Sequence, residues 1–436
     1  MLQLITALMI LLAGAQSVAA DAPVESGMES SSNAVVNPRA VDDPADDDHG
    51  HVALEADPEL TLHEVILHTV EIEPGRLVVA ARRAEAAALE RNARSLLSGA
   101  PTISANHGTD GLWSGDGYRQ WDVGLKFPLW WPGQRKGRRQ TARAAAAAAN
   151  HAQRAHALEV AGWVRQSIAE LAVTQVRLEL TEAEWRAEAE LARQIERAVA
   201  LEELAHRELL LARSASLDRR LLYLEALEEA RHAEGTYFLL TGLDRWPTAW
   251  SETAPDLDAL DDHPMLLLAA EEIARAQGEL DRVAADQWGR PVLALGSEHE
   301  RDDGNSNFGD RIVAGLSIPL GRRRDARAEV AGARRVLAQK RRDQKRLERK
   351  LQGRLAEAEH RFALSKERVA TAAEQAEMAA EYLRLTDLGF GLGESDLSEL
   401  LRARSRATAA EQTHREALIL RQSSAGEMNQ ALGVVP

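Results

Sequence analysis

Residues 119–139, RQWDVGLKFPLWWPGQRKGRR, lead an alternating strand directly into a long helix, and the arrangement returns once further along the chain. Trp121, Val123, Leu125, Phe127 and Leu129 alternate with Asp122, Gly124, Lys126 and Pro128, so an extended strand has one wholly apolar face and one polar or small face. Such a strand suits a wall between an apolar medium and water. Residues 310–327, DRIVAGLSIPLGRRRDAR, repeat the pattern with Ile312, Ala314, Leu316 and Ile318 on one face. Gly124 answers Gly315, Glu73 and Pro74 answer His263 and Pro264, and Thr102 and Ile103 answer Val292 and Leu293. Three proline pairs, Pro74 and Pro264, Pro101 and Pro291, Pro128 and Pro319, lie 190, 190 and 191 residues apart. A period this long implies duplicated halves, not a solenoid of short repeats.

Each half reads as a helix of moderate length, a proline break, a strand, a polar turn, a second strand and a very long helix. Aromatics make up only 4% of the 436 residues, so the core is thin, and Ala, Leu, Glu and Arg dominate as in long helices. A formal charge of −15 argues against a general nucleic-acid binder, and the Arg-rich run 322–354 is interleaved with acidic residues as a solvated helix face. The chain has no cysteine, which excludes disulfides, thiolate metal sites and thiol catalysis.

Residues 1–20 carry an apolar core over 4–13 and end in Ser17, Val18, Ala19 and Ala20, which fits a signal peptide, although no Lys or Arg precedes the core. No run of apolar residues is long enough for a spanning helix, so a membrane crossing has to use strands. Residues 21–58 are an acidic lead-in expected to be disordered, and His49 and His51 among its aspartates read as part of a solvated tail. A helix is expected over 59–100, with Thr61 and Glu64 spaced as a capping box and a break at Pro74 and Gly75. A hairpin follows over 101–131, then a long helical hairpin over 132–244 with its reversal at 212–218, ARSASLD. A linker over 245–262 precedes the second copy. That copy comprises a helix over 263–288, a hairpin over 289–320, and a helical hairpin over 321–436 with its reversal at 389–395. The proline-free run from 133 to 211 predicts a helix of about 110–120 Å, which must be packed in a coiled coil.

Five of the nine tryptophans, Trp113, Trp121, Trp130, Trp131 and Trp288, fall in or beside the hairpins. Trp113, Tyr118, Trp130, Trp131 and Trp288 are candidates for an aromatic girdle at a bilayer interface. Odd positions from Trp121 to Leu129 are expected toward lipid, with Asp122 and Lys126 toward water. Four strands cannot close around a channel, so three or more chains have to pool their hairpins.

This order of elements resembles the TolC-like outer-membrane efflux family, over residues 60–433. The resemblance rests on Leu60, Thr61, Leu62 and Glu64, on the segment 128–139 and its echo, and on 393–403, GESDLSELLRA. The junction at 128–139 is most similar to that of the heavy-metal cation exporters within the family. The resemblance implies a mostly α, internally duplicated coiled-coil barrel whose two β-hairpins per chain join in a trimeric twelve-stranded membrane barrel. It implies a passive outer-membrane duct with a large periplasmic part, worked by an inner-membrane pump and a periplasmic adaptor, with no cofactor and no catalysis. Family members carry acidic residues near the closed helical tip, at the position matching Glu399; a second such position is Arg402 here, and Arg220 is the matching place in the first half. By resemblance the two reversals, with Ser214, Ser216 and Asp218 in one and Gly391, Gly393 and Ser395 in the other, meet the adaptor.

Two rivals remain. One is a duct for drug efflux or protein secretion; the other is a periplasmic coiled-coil scaffold without a barrel. An enzyme has little support: His63 and His68, and likewise His151 and His156, are five residues apart and do not share a helix face. Gly389, Gly391 and Gly393 follow no strand and precede no Lys-Ser/Thr pair, so they mark a helical reversal, not a nucleotide loop.

Overall fold

The computed structural model describes residues 54–110, 115–254, 260–320 and 326–436. The expected signal peptide, most of the lead-in with His49 and His51, and Trp113 lie outside them. Helix α1 (Leu62–Ile72) starts from a complete capping box: Glu64 N donates to Thr61 Oγ1 at 3.2 Å and Thr61 N donates to Glu64 Oε2 at 2.9 Å. Pro74 separates it from α2 (Gly75–Arg94), because proline supplies no amide to continue the ladder. Strands β2 (Thr102–Thr109) and β3 (Arg119–Pro128) follow, then the long α3 (Gln134–Ala200) and its return α4 (His206–Thr241). In the second half α5 (Pro264–Ala285) leads to β5 (Val292–Arg301), β6 (Gly309–Ser317), α6 (Ala326–Leu392) and α7 (Leu397–Leu432).

The duplication holds to the residue. Helices α3 and α6 have 67 residues each, about 100 Å, and α4 and α7 have 36 each, about 54 Å. The long helices therefore run the full length from sheet to tip, and the returns reach about half way. Beyond them α2 and α5 pack beside the sheet-proximal half of α3, and α5 also packs on α6. Helices α3 and α5 approach with backbones nearly touching: a Cβ on Gly137 would lie 2.8 Å from Arg282 N, and one on Gly278 would lie 2.8 Å from Thr141 N. Small residues make this possible, as in the buried series Ala142, Ala145, Ala148, Ala149 and Ala152. Equivalent positions on α2 and α5 also pair by charge, Arg82 with Glu272 at 3.0 Å and Glu85 with Arg275.

A hydrophobic core lies where the returns end. Val65, Ile66, Val160, Val164, Ile168 and Tyr237 are buried there, with Trp250 from the linker. Two segments expected to be unstructured help close it: β1 (Glu55–Asp57), at the end of the lead-in, runs parallel to β4 (Arg245–Pro247) in the linker. Tyr237 donates to Arg245 O at 3.0 Å, and burial pushes its phenol up to about 12. His263 caps α5 by accepting from Met265 N at 3.2 Å, a role that needs the neutral ring; burial pushes its pKa down to about 4.

The structure corrects the position of the first reversal. Residues 212–218 are continuous helix inside α4, and the chain turns at 201–205. Glu202 takes the left-handed conformation there, with φ 62°, at the place 191 residues before Gly393, with φ 76°. The turns share a backbone bond: Glu203 N donates to Ala198 O at 2.9 Å, and Glu394 N donates to Gly389 O at 2.8 Å. A left-handed residue with a Cβ costs about 1–2 kcal/mol, so Glu202→Gly is expected to raise stability by roughly 1 kcal/mol in thermal melts of the purified protein. A lowered melting temperature would show that Glu202 earns its conformation by contacts of its own.

Candidate functional site

Strands β2, β3, β5 and β6 form one antiparallel sheet in that order. The register aligns the alternating side chains into rows. One face stacks His107, Trp121, His299 and Asp310, then Ala105, Val123, Ser297 and Ile312, then Ile103, Leu125, Leu295 and Ala314, and finally Phe127, Leu293 and Leu316. Below the first row this face is apolar but for Ser297, and it is bare: Ile312 is 89% exposed and Ile103 74%. The opposite face carries Thr102, Ser104, Asn106, Gln120, Asp122, Lys126, Glu298, Glu300 and Arg311, with glycines between them. Arg311 holds Glu298 at 3.2 Å and Glu300 at 3.1 Å. The expected split of Trp121, Val123, Leu125 and Phe127 from Asp122 and Lys126 is therefore present across four strands. Strands β2 and β6 each leave one edge unpaired within the protomer. Among the described residues, no helix is long and apolar enough to cross a membrane.

Trp130 and Trp131 stand between β3 and α3, and Trp288 ends the short helical turn that precedes β5. Trp130 donates from Nε1 to Ser95 O at 3.0 Å and lies under the Arg138 guanidinium at 4.9 Å. Gln134, fully buried, ties this corner by accepting from Trp131 N at 2.9 Å and donating to Gly289 O at 3.2 Å. Tyr118 does not join them. Its hydroxyl donates to Gln120 Oε1 at 2.6 Å and lies 3.1 Å from Glu300 Oε1, so it belongs to the polar face.

At the other end of the molecule, Leu191, Ile195, Leu209, Leu397 and Leu400 pack the two reversals together. Asp396 caps α7 by accepting from Glu399 N at 2.7 Å, whereas Ala205, at the equivalent place, gives α4 no side-chain cap.

No family model matches the sequence, and no curated protein matches it. Solved structures do match. The outer membrane protein VceC of Vibrio cholerae superposes with a TM-score of 0.72 at 14% identity, over 86% of this chain and 96% of that one. The Campylobacter jejuni CmeC outer membrane channel gives 0.71 at 14% identity, over 85% of each chain. The open state of the Neisseria gonorrhoeae MtrE outer membrane channel gives 0.66 at 17% identity, over 88% of this chain and 91% of that one. The fold is that of the outer-membrane channels. It is mostly α with a small β part, as the sequence implied.

Within this channel fold the tip residues are placed differently from the sequence expectation. Glu399, in the first turn of α7, accepts from the Tyr382 hydroxyl at 3.3 Å, and Arg402 Nε donates to Ser398 O at 3.2 Å. Arg220 is not their counterpart: it stands fourteen residues into α4, with its guanidinium 5.7 Å over Trp185, and Glu208 is the residue 191 places before Glu399. Within the protomer Arg220, Glu399 and Arg402 do not meet. Ser214, Ser216 and Asp218 lie along α4, so of the first-half tip candidates none is in the turn. Helix α6 runs on through 389–392, taking Gly391 into its last turn, and the second reversal is confined to Gly393 and Ser395 with their neighbours.

The channel fold also buries charges that no local pattern announced. Glu184 and Glu188 of α3 turn inward beside a cleft of about 610 Å³ between α3, α6 and α7. Arg219 of α4 lies 3.2 Å from Glu184, and Arg404 of α7 lies 3.9 Å from Glu188 and 3.6 Å from Asp387. Glu188 Oε2 has no hydrogen-bond partner. Burial pushes both carboxyls above the usual range, the arginines opposing it only in part. A raised folded-state pKa means that the folded form binds the proton more readily, so the ionised carboxylate costs stability at neutral pH. That cost fades as pH falls through the raised pKa. Glu188→Gln is therefore expected to stabilise by about 1 kcal/mol at pH 7, with the gain shrinking toward pH 4. Melts across this range would show a pH-independent difference if the carboxylate were already well solvated.

Proposed function

We propose that this chain is the outer-membrane exit duct of a tripartite efflux system, passing substrate delivered by an inner-membrane pump through a periplasmic adaptor, and catalysing nothing. One observation carries the reading: a four-stranded sheet with a bare apolar face, a polar face and two open edges, continued by helical hairpins about 100 Å long. An isolated sheet of this kind exposes more apolar area and more free edge than a soluble protein tolerates. Three copies would join β6 of one to β2 of the next and close twelve strands, with the apolar rows toward lipid and Asp122, Lys126 and Glu298 toward the lumen. Trp130, Trp131 and Trp288 would then lie at the periplasmic boundary, and the two reversals would face the adaptor.

The cargo proposed is heavy-metal cations, on the likeness of residues 128–139 to that branch; loss of the gene should sensitise cells to zinc, cobalt or cadmium, whereas sensitivity to drugs alone would transfer the duct to drug efflux. The architecture is tested by fractionating a Gram-negative cell expressing the chain, followed by unboiled gel migration and mass measurement of the extracted species. A trimer in the outer membrane is expected. A soluble periplasmic monomer would refute the duct and leave a coiled-coil scaffold.

A further inference from the structure

The geometry points to a site on the apolar face of the sheet, made by Arg119 and Arg301, for the phosphate of an outer-leaflet lipid headgroup; this rests on the membrane orientation proposed above. Arg119 of β3 and Arg301 of β5 are direct register partners, one row beyond Trp121 and His299 on the same face. Like charges placed opposite one another destabilise an antiparallel pair, whose Cα atoms are only about 4.5–5.5 Å apart. An anion between them reverses the sign of that interaction.

The protein itself supplies no such anion. Among the described residues neither guanidinium has a carboxylate partner; Arg301 Nη2 reaches only the backbone, Gly117 O at 3.5 Å. The nearby Glu298 and Glu300 belong to the other face and are held by Arg311, while Asp310 is taken by His299 at 2.6 Å. The surroundings are those of a membrane boundary. Phe308 lies 5.2 Å from the Arg301 guanidinium, and His107 stacks on Trp121 at 4.1 Å in the row beneath.

The depth also fits. Strand β3 from Arg119 to Pro128 makes nine steps, about 30 Å, or roughly 23 Å of height at a tilt near 40°, and Trp130 lies just past its end. The apolar band of outer-membrane barrels is about 25 Å tall, which puts the pair among the headgroups of the far leaflet. Two adjacent cationic side chains supply the charge and the N–H donors that the oxygens of a phosphomonoester accept. A lipid is favoured over free phosphate because, one row further down past Trp121 and the His299–Asp310 pair, the same face becomes the apolar rows of Val123, Ile312 and Leu125, against which acyl chains would lie.

The test uses the full chain extracted from the outer membrane in mild detergent, with adducts of bis-phosphorylated lipid A and of dephosphorylated lipid A quantified by native mass spectrometry. The protein is expected to prefer the phosphorylated lipid by about tenfold. Arg119→Gln combined with Arg301→Gln should abolish the preference, the corresponding double lysine variant should keep most of it, and Lys126→Gln on the polar face should not alter it. Arg119→Gln alone, which removes no bond within the protomer, should lower the preference and guards against a folding failure of the double variant. An unchanged preference in the double glutamine variant, or none in the unmodified protein, overturns the inference. Displacement of lipid A by millimolar inorganic phosphate would assign the pair to a free anion and equally overturn it. A chain that never reaches the outer membrane defeats the duct proposal itself, which the fractionation reports separately.

Discussion

Leu125→Arg is expected to keep the protein out of the outer membrane, while Lys126→Glu one residue away leaves assembly intact. Leu125 is 45% exposed on the apolar face, flanked in its row by Ile103 and Leu295, and lies midway between Trp130 and Arg119. A cationic side chain on the lipid face costs about 2–4 kcal/mol at the bilayer midplane. In the proposed trimer the change enters three times, so the assembly loses roughly 6–12 kcal/mol, comparable with the whole stability of a typical domain. Lys126 faces the other way, in the row of Thr102, Ala294 and Gly315. A reversed charge there meets water and adds one carboxylate to a face that already mixes both signs. Fractionation with unboiled gel migration reads both variants at once, and equal tolerance of the two would overturn the assignment of faces.

The contrast between these neighbours was legible in the sequence because it depends only on the two-residue period of a strand, which needs no knowledge of the partners. The same holds for the start of α1, where Thr61 and Glu64 state both halves of a capping box, and for the proline spacings that set one half of the chain against the other. What stayed hidden depended on distant partners or on a broken local rule. The reversal at 201–205 lacks the glycine that marks its twin, since Glu202 carries the left-handed angle, and a Ser-containing stretch one helical segment later was the more turn-like text. Strands β1 and β4 are three residues each and carry no alternation, so only their pairing reveals them. Glu184 and Glu188 read as two more acidic residues in a helix full of them until α4 and α7 cover that face. The pairing of Arg119 with Arg301 required the register between the two halves, which no hairpin signal contains.

The same kind of distance hides the residue whose loss should cost the helical half most. Changing Arg165, in the middle of α3, to Met is expected to destabilise the core where the returns end by about 3–5 kcal/mol, because a buried carboxylate is left without its cation. The Arg165 and Glu252 side chains are only 9% and 10% exposed, and Glu252 sits in the linker 87 residues away. The pair is bidentate, with Nε and Nη2 each 2.7 Å from a different carboxylate oxygen. Nη1 donates to Gln430 Oε1 at 2.6 Å and Nη2 also donates to Val434 O at 3.1 Å, so one side chain gathers α3, the linker, the end of α7 and the segment beyond it. Asn429 Nδ2 completes the carboxylate at 2.8 Å, and Gly426 keeps the space clear, since a Cβ there would come within 2.8 Å of Glu252 Oε1. Much of the predicted loss is the penalty of stranding Glu252, so Arg165→Met with Glu252→Gln should recover a large part of it; a neutral pair no longer carries a buried charge. Melting of the purified protein together with limited proteolysis at the linker reads both effects. Additive losses in the double variant would mean that each side chain is held by its other partners, and that the clamp does not act as a unit.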